Sequence, residues 1–378
     1  MLEGLVVARN PVGSSPARDR SSSKLVVGKP VRARARRGTV ERQYVAVDLH
    51  GRRSMIVREN AAGEELAVVR IDNSVEELSA ALADAGPNPE VAIEATYGWY
   101  WAVDALQELG ATVRLVNPSG LVWEDRRVKN DYLDCRELIT RMRINKLPEA
   151  WIAPPEWREL RELVRYRFKL VCLRTGLKAQ VKSVLAKHGL QPPVNDLWYA
   201  TGAGPRWLDQ LQLPDAYHHR VESLRDLVGA IDREISTLER MIHQQLKDHA
   251  GYRAIQHIDG IGRVLAPIFV AEIGDVHRFG SPAALSSWAG LTPKHRESDV
   301  KAHRGKVTKK GNRLVRWAAI EAISHMRGGP KLQADYHRIA DRRGKNIGRT
   351  AVARKVLTLV YYGLRDGEIR SLAKAQAG

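Results

Sequence analysis

Four acidic residues stand where their carboxylates could bind metal together. Asp48 ends the apolar run YVAVD, Glu94 ends VAIE, and Asp131 and Asp134 lie three residues apart in KNDYLDCREL. In a helix this last pair projects from one face, one turn apart. Such acids can hold two Mg²⁺ ions ~4 Å apart, which neutralise a phosphate and activate an attacking oxygen. The alternative is that these residues are ordinary solvated acids at strand ends and at a helix start.

A second group of residues surrounds Ser298, in the segment LTPKHRESDVKAHRGKVTKKGNR. A serine hydroxyl is a poor nucleophile unless it loses its proton or its target is strongly activated. Neighbouring cations could hold a scissile phosphate and supply that activation. The cations that we predict to bind nucleic acid in this segment are Lys294, Arg296, Arg304, Lys309, Lys310 and Arg313. The competing interpretation is that a Ser-Asp pair in a polar loop is a turn or cap.

The elements that must position the four acids begin at Tyr44. YVAVDLH, RRSMIVREN and EELAVVRID are predicted strands, and the gap ENAAGEE predicts a hairpin between the last two. Helices in NSVEELSAALADAG and YWAVDALQELG then alternate with strands in VAIEA and ATVRLVNP. This order predicts a mixed sheet flanked by helices, as in ribonuclease-H-like folds. In such a sheet the first and fourth strands are neighbours, which would place Asp48 near Glu94.

From about residue 155 to residue 248 the pattern is helical. An apolar heptad repeat, typical of a coiled coil, runs through Val221, Leu224, Val228, Ile231, Ile235, Leu238 and Ile242. An earlier helix has a looser repeat and a strongly basic surface, from which we predict that Arg165, Lys178 and Lys182 bind nucleic acid. An antiparallel helical hairpin with a solvated face accounts for the same pattern.

The remainder of the chain is predicted to be mostly helical. In IQHIDGIGRVLAPIFVAEIGDVHRF a Gly-Ile-Gly turn separates two apolar helical stretches, which resembles a helix-hairpin-helix. Glycines in that motif let backbone N–H groups face a phosphate, although a simple tight turn is the competing explanation. The segment from SSWAGLTPKHRESD to the start of KKGNRLVRW is predicted to be a loop, and TAVARKVLTLVYYGLRDG is predicted to be the last helix.

Charge and cysteine content narrow the class of protein. The 378 residues include 61 Lys and Arg against 43 Asp and Glu, a formal charge of +18, which favours a polyanionic partner over a membrane surface. The sequence has no run of ~18 apolar residues that could span a bilayer. Two cysteines, Cys135 and Cys172, are too few for a disulfide scaffold or a thiolate zinc site and indicate a reduced cytosol, so we expect a cytoplasmic protein.

The first 42 residues differ from the rest, with ten basic and three acidic residues among many Ser, Gly and Pro. They lack the apolar core of a secretory signal. We expect a disordered basic arm that touches nucleic acid, and a tail without function is the alternative.

Two blocks of motifs carry a resemblance to a known family. The first block contains, in order, YVAVDLH, VAIEATYGWY, VRLVNP and KNDYLDC, and the second contains IDGIGRVLAPIFVAEIGDVHRFGSPAALSSWAGLTP and GKVTKKGNRLVRWAAI. They are similar to the DEDD transposases of the insertion-sequence family "one-ten". The resemblance covers residues 43–365, and the order and spacing of two separate motif blocks make it specific.

The resemblance implies a RuvC-like, ribonuclease-H-like α/β domain over residues 43–152 and a helical coiled-coil connector over residues 153–250. A mostly α transposase domain with the helix-hairpin-helix-like segment follows over residues 251–368, with the basic arm at residues 1–42 and a tail at residues 369–378. It also implies that Asp48, Glu94, Asp131 and Asp134 bind two Mg²⁺ ions. Lys129 and Arg136, beside the two aspartates, are expected to contact phosphate.

The same resemblance implies that Ser298 is the nucleophile, although this sequence has Asp299 where the family has glycine. Family members use an element-encoded bridge RNA to pair donor and target DNA, and they assemble as multimers. DNA, a structured guide RNA and further copies of the chain, as a dimer or tetramer, are therefore the expected partners. Two other functions stay open, a hydrolytic RuvC-type structure-specific endonuclease and a non-catalytic RNA- or DNA-binding protein.

Overall fold

The computed structural model describes residues 42–121, 130–198, 202–298, 301–327 and 330–372, with the backbone alone at 295–298, 301–304 and 330. The strands are β1 (Tyr44–Leu49), β2 (Arg53–Glu59), β3 (Glu65–Asp72), β4 (Glu90–Glu94), β5 (Thr112–Val116), β6 (Pro293–Ser298) and β7 (Lys301–Val307). The helices are α1 (Val75–Leu82), α2 (Trp99–Glu108), α3 (Asp131–Arg143), α4 (Pro155–Lys187), α5 (Ala203–Asp209), α6 (Asp215–Leu246), α7 (Ala250–Ile255), α8 (Ala266–Ile273), α9 (Pro282–Trp288), α10 (Arg313–Ser324), α11 (Pro330–Arg343) and α12 (Lys345–Asp366).

The described chain forms two compact units. The first contains residues 42–116 and 130–147, and the second contains residues 117–121 together with the described residues from 148 onward. The first unit is a mixed α/β sheet domain and the second is mostly helical, which confirms the coarse architecture predicted from the sequence.

The first unit is built on a five-stranded sheet in the order β3-β2-β1-β4-β5. Strand β1 pairs antiparallel with β2 and parallel with β4, and β4 pairs parallel with β5. The centre of the sheet is fully buried at Val45, Ala46, Val91 and Ala92, which explains why these strands read as continuous apolar runs. The five strands predicted in this part of the chain are confirmed.

Helix α3 crosses the first two strands of the chain. Its buried residues Cys135, Leu138, Ile139 and Met142 follow the i, i+3, i+4, i+7 spacing of a single helix face. The thiol of Cys135 donates to the carbonyl of Met55 on β2 at 3.7 Å. This packing fixes where the first turn of α3 lies relative to the end of β1.

The second unit begins with two long helices, α4 and α6, that pack antiparallel. Arg167 pairs with Glu239 and Arg174 with Asp232, while Gln180 accepts from Arg220, so positions on α6 fall as those on α4 rise. All but one of the predicted apolar positions of α6 are buried, and Ile231 is partly buried against the core. The helices predicted here are therefore confirmed.

The rest of the second unit packs around α8, whose eight residues are all buried. The chain enters α8 through the Gly-Ile-Gly turn, where Gly260 has φ +84°. A β-carbon at Gly260 would lie 2.0 Å from the carbonyl oxygen of Ala322, so both the conformation and the close approach require glycine.

The prediction of a loop before α10 is wrong, because residues 293–298 and 301–307 form an antiparallel pair of strands, the hairpin β6–β7, with Pro293 opposite Val307 and Ser298 opposite Lys301. These strands are almost entirely polar and therefore lack the apolar alternation that reveals a half-buried strand in a sequence. At the base of the hairpin, the N–H of Thr308 donates to the carbonyl of Thr292 at 2.9 Å, and that of Lys309 donates to Gly290 at 3.1 Å.

One buried carboxylate, Glu272 on α8, connects α4, α8 and the start of α10. It accepts from Arg165 at 2.6 and 2.8 Å and from the side-chain amide of Asn312 at 2.7 Å. Asn312 in turn accepts from the N–H groups of Leu314 and Val315, as the N-cap of α10. Burial alone would raise the pKa of Glu272, but the hydrogen bonds and charge of Arg165, with Asn312 and Arg161, hold it below the usual value.

No helix in the described ranges is both long and apolar enough to cross a membrane.

The Glu272 network predicts a pH-dependent stability. We expect Glu272→Gln to lower the free energy of unfolding at pH 7 by about 2 kcal/mol, because hydrogen bonds to a charged group are lost. The folded-state pKa lies below 4.5, so the contribution of the carboxylate is complete above that pH and is lost as the pH falls below it. Chemical denaturation at pH 7 and near pH 3 should therefore show that the difference in free energy of unfolding between the variant and the unsubstituted protein becomes smaller in acid.

Glu368→Gln, at an exposed ion pair with Arg370, is the matched control and should change stability little. An equal loss at both pH values would contradict this account.

Candidate active site

The centre of the candidate site is the end of β1. The side chain of Asp48 is 17% exposed, and two residues further on His50 follows on the same side of the extended chain. The Nε2 atom of His50 lies 3.2 Å from Oδ2 of Asp48 and 3.6 Å from Oδ1 of Asp131. Donor atoms of these three residues all lie within 4.8 Å of one another, a spacing compatible with one bound metal ion.

Asp131 reaches this position as the first residue of α3. Asn130 caps the helix by accepting from the N–H of Tyr132 at 3.0 Å. Asp131 and Asp134 both occupy the first turn, where the helix dipole favours negative charge. The helix-start interpretation is therefore correct as a description of local structure, and it is compatible with metal binding by Asp131.

Glu94 and Asp134 lie in the same unit but outside this group of three. The register of β1 and β4 places Val47 opposite Ile93, so the residues that follow, Asp48 near the end of β1 and Glu94 at the end of β4, lie on adjacent parallel strands. Asp134 lies one turn beyond Asp131, and its backbone N–H donates to the carbonyl of Asn130 at 3.0 Å. The side chains of Glu94 and Asp134 are partly buried. The prediction that all four acids bind metal remains a prediction.

The negative charges of these acids also affect the pKa of a buried thiol, that of Cys135. Burial raises the pKa of Cys135, and the negative charges of Asp48, Asp134 and Asp131 raise it further. Three of the four predicted acids are therefore close enough to one cysteine to affect its ionisation.

Cations line the open side of the site. A cavity of about 410 Å³ is bounded by His50, Arg52, Arg53, Arg70 and Asp131 among others. A guanidinium nitrogen of Arg70 on β3 lies 3.5 Å from Oδ2 of Asp131. The cavity thus joins a carboxylate centre to a positively charged wall, as binding of a phosphate beside a cation requires.

Several residues predicted to bind nucleic acid have intramolecular partners. Arg136 lies 3.3 Å from Glu59 and over the ring of Tyr132. Arg165 forms the two-point pair with Glu272, which gives its guanidinium a structural role in the second unit. Lys178 lies over the ring of Trp198 at 4.9 Å. Lys182 is exposed on α4, and Lys129 lies outside the described residues.

The serine segment belongs to the second unit. Ser298 is the last residue of β6, and Lys294, Lys309, Lys310 and Arg313 are exposed around the hairpin and at the start of α10. The side chains of Ser298, Arg296 and Arg304 lie outside the described residues, as does Asp299. The nucleophilic role of Ser298 therefore stays a prediction.

Comparisons with known proteins match both units. A model of DEDD transposases of the IS110 type, described as "Transposase", matches residues 45–189. A second model, described as "Transposase IS116/IS110/IS902 family", matches residues 252–337. The chain belongs to the IS110/IS116/IS902 family of transposases. Asp48, His50, Glu94, Asp131 and Asp134 all lie within the first match.

Three relatives illustrate this family membership. The chain is 26% identical to a family 20 transposase of Pseudomonas aeruginosa over 230 residues, 58% of this chain and 66% of that protein. It is 30% identical to a Sinorhizobium fredii protein named as a transposase, over 54% of this chain and 50% of that protein. It is 22% identical to the transposase for insertion sequence element IS1111A of Coxiella burnetii, over 67% of this chain and 71% of that protein. The matches thus span between half and about two thirds of the length of the first two relatives.

Sequence reasoning missed His50, Arg52 and Arg70 at this site. His50 carries a detectable signal, because it lies two residues after the strand-end Asp48 and strand alternation places both on one side. Arg70 carries none, since its approach to Asp131 depends on the hairpin pairing of β2 with β3.

The position of α3 predicts unequal cysteine reactivity. We expect a thiol reagent such as Ellman's reagent at pH 8 to label Cys172, which is exposed, and to leave the buried Cys135 unmodified. Titration should give one reactive thiol in the native protein and two in denaturant. Cys172→Ser should abolish native labelling. Rapid labelling of Cys135 in the native protein would show that α3 does not pack on β2 as described.

Proposed function

We propose that this protein is a transposase that cleaves and rejoins DNA strands by using a divalent cation at the Asp48 site and Ser298 as nucleophile. The observation that carries the proposal is the convergence of Asp48 and Asp131 with His50 at the edge of the sheet, inside the region that matches DEDD transposases. This function accounts for carboxylates, cations and a serine segment in one chain.

The donor set fits a divalent cation. The carboxylates of Asp48 and Asp131 are hard oxygen ligands, and both are partly shielded from solvent. Glu94 and Asp134, in adjacent elements, complete the acidic set that we assign to Mg²⁺. A bound divalent cation supplies charge neutralisation at the scissile phosphate and activation of the attacking oxygen. Arg70 lies beside the carboxylate of Asp131 and is placed to contact the phosphate.

Ser298 supplies the covalent step. Its hydroxyl loses a proton to solvent, its Oγ forms a bond to phosphorus, and the bond from phosphorus to a deoxyribose oxygen breaks. That oxygen takes a proton from solvent and leaves as a hydroxyl. The strand end stays attached to the protein, so a second deoxyribose hydroxyl can displace the serine and restore a phosphodiester. Lys294, Lys309 and Lys310 provide positive charge around the hairpin for this exchange.

The fold supports a RuvC-like assignment for the first unit. The supporting feature is the sheet order β3-β2-β1-β4-β5, in which only β2 runs antiparallel to its neighbours on both sides. We further assign α4 and α6 as an antiparallel coiled-coil arm, on the basis of the apolar residues buried between them. The proposed oligomer rests on the family resemblance.

The partners that we propose are donor and target DNA and a structured guide RNA encoded next to the gene. The net charge of +18 supports a polyanionic partner, since each neutralised phosphate releases counterions. This part of the proposal rests on the family resemblance and on charge.

A cleavage assay tests the proposed function. The purified chain is incubated with Mg²⁺, the transcript of its flanking non-coding region and a plasmid that carries those flanks. We expect strand cleavage and a covalent protein–DNA adduct that survives denaturation. Asp48→Asn should lower cleavage by at least ~10²-fold, as expected for loss of transition-state charge stabilisation.

Two variants separate the alternatives. Asp84→Asn, which changes a 90% exposed aspartate of the same unit, should retain activity and is the matched control. Ser298→Ala should abolish both adduct and strand exchange. Cleavage that survives Ser298→Ala would identify a hydrolytic endonuclease instead, and nucleic-acid binding without any cleavage would identify a binding protein.

A further inference from the structure

We propose that His50 is a direct metal ligand, so that the site binds one cation through a nitrogen as well as through the carboxylates of Asp48 and Asp131. This inference rests on the proposed metal site, and it adds a ligand outside the four acids implied by the family. It also implies a preference for transition metals such as Mn²⁺ over Mg²⁺.

The distances among the donor atoms support direct ligation. In an octahedral site with ligands at about 2.0–2.1 Å, neighbouring donor atoms are ~3 Å apart. The Nε2 atom of His50 lies 3.2 Å from an oxygen of Asp48 and 3.6 Å from an oxygen of Asp131. The distance to Asp131 exceeds the about 2.7–3.2 Å of an N–H···O hydrogen bond, and the distance to Asp48 lies at the upper end of that range. The three donors are therefore spaced as neighbouring ligands around a shared cation.

Local structure brings the imidazole to this position. His50 follows Asp48 by two residues at the end of β1, so both side chains extend to the same side of the sheet. The N–H of Asn73 donates to the carbonyl of Arg52, and the side-chain amide of Asn73 donates to that of His50 at 2.6 Å. These contacts hold the turn between β1 and β2 at the histidine itself and two residues after it.

The chemistry of the donor atoms determines which metal the site binds more tightly. Mg²⁺ is bound almost entirely by oxygen ligands, whereas imidazole nitrogen contributes more to the binding of transition metals. A site with two carboxylates and one imidazole should therefore bind Mn²⁺ more tightly than Mg²⁺, and the difference should depend on His50.

Arg70 provides a matched control. Its guanidinium also contacts Asp131, at 3.5 Å, but a guanidinium stays protonated and cannot ligate a metal. If His50 is a ligand, His50→Ala should weaken Mn²⁺ binding. Arg70→Ala removes a cation from the same carboxylate and should leave Mn²⁺ binding unchanged or stronger.

The test uses Mn²⁺ and the full chain without DNA. Titration followed by electron paramagnetic resonance measures the affinity, and pulsed measurements detect nitrogen bound to Mn²⁺. We expect histidine nitrogen coupling in the unsubstituted protein, confirmed by ¹⁵N-histidine labelling and lost in both His50→Ala and His50→Asn. We expect His50→Ala to lower Mn²⁺ affinity by roughly 10-fold or more, since even outer-shell partners of ligands contribute about 10–100-fold. The same variant should lower Mg²⁺ affinity less.

The outcomes distinguish this inference from the proposed function. Mn²⁺ binding that depends on Asp48 but shows no histidine nitrogen, with unchanged or raised affinity in His50→Ala, would overturn the ligand role and leave the metal site intact. No Mn²⁺ binding by the unsubstituted protein at millimolar metal would overturn the metal site itself. Circular dichroism of each variant verifies that the fold is retained, and the nitrogen signal of the unsubstituted protein does not depend on any variant.

Discussion

The candidate site depends on one structural constraint. Strand β1 pairs parallel with β4, and α3 packs across β1 and β2. Parallel strands end at the same edge of a sheet, so Asp48, near the end of β1, and Glu94, the last residue of β4, follow the paired residues Val47 and Ile93 on adjacent strands. The buried face of α3, anchored by Cys135, then sets its first turn beside the same edge. Three elements distant in sequence therefore bring like charges together, an arrangement whose repulsion a cation would relieve.

The second unit depends on a different constraint, the single buried carboxylate of Glu272. Burying a charge is costly unless it is fully paired, and Arg165 and Asn312 supply that pairing from two other elements. Asn312 also begins α10 directly after the hairpin β6–β7. The base of the hairpin β6–β7 is thus held by hydrogen bonds at Thr292 and Gly290. The helix cap that follows it, Asn312, belongs to the hydrogen-bond network of Glu272. A base held in this way suits the role at a phosphate that we propose for Ser298.

Much of the first unit could be predicted because β1, β2, β4 and β5 are largely or partly buried and leave an apolar signature, and β3, although mostly exposed, also contains an apolar run. Asp48 and Glu94 were found because each interrupts such a run at its end. The hairpin β6–β7 could not be found in the same way, since its strands are almost entirely polar and leave no apolar pattern. Arg70 and Arg165 show a further limit, because composition identifies a cation but not its partner. Arg165, which was predicted to contact nucleic acid, pairs with Glu272 within the chain, whereas Arg70 was overlooked and lies against Asp131.

The most direct test of this account is the position of a metal ion bound to the protein. Anomalous diffraction from a crystal grown with Mn²⁺ locates the ion without reference to activity. The account predicts an anomalous peak within ~2.2 Å of carboxylate oxygens of both Asp48 and Asp131, at the end of β1. A peak elsewhere in the chain, or none at saturating Mn²⁺, would contradict it.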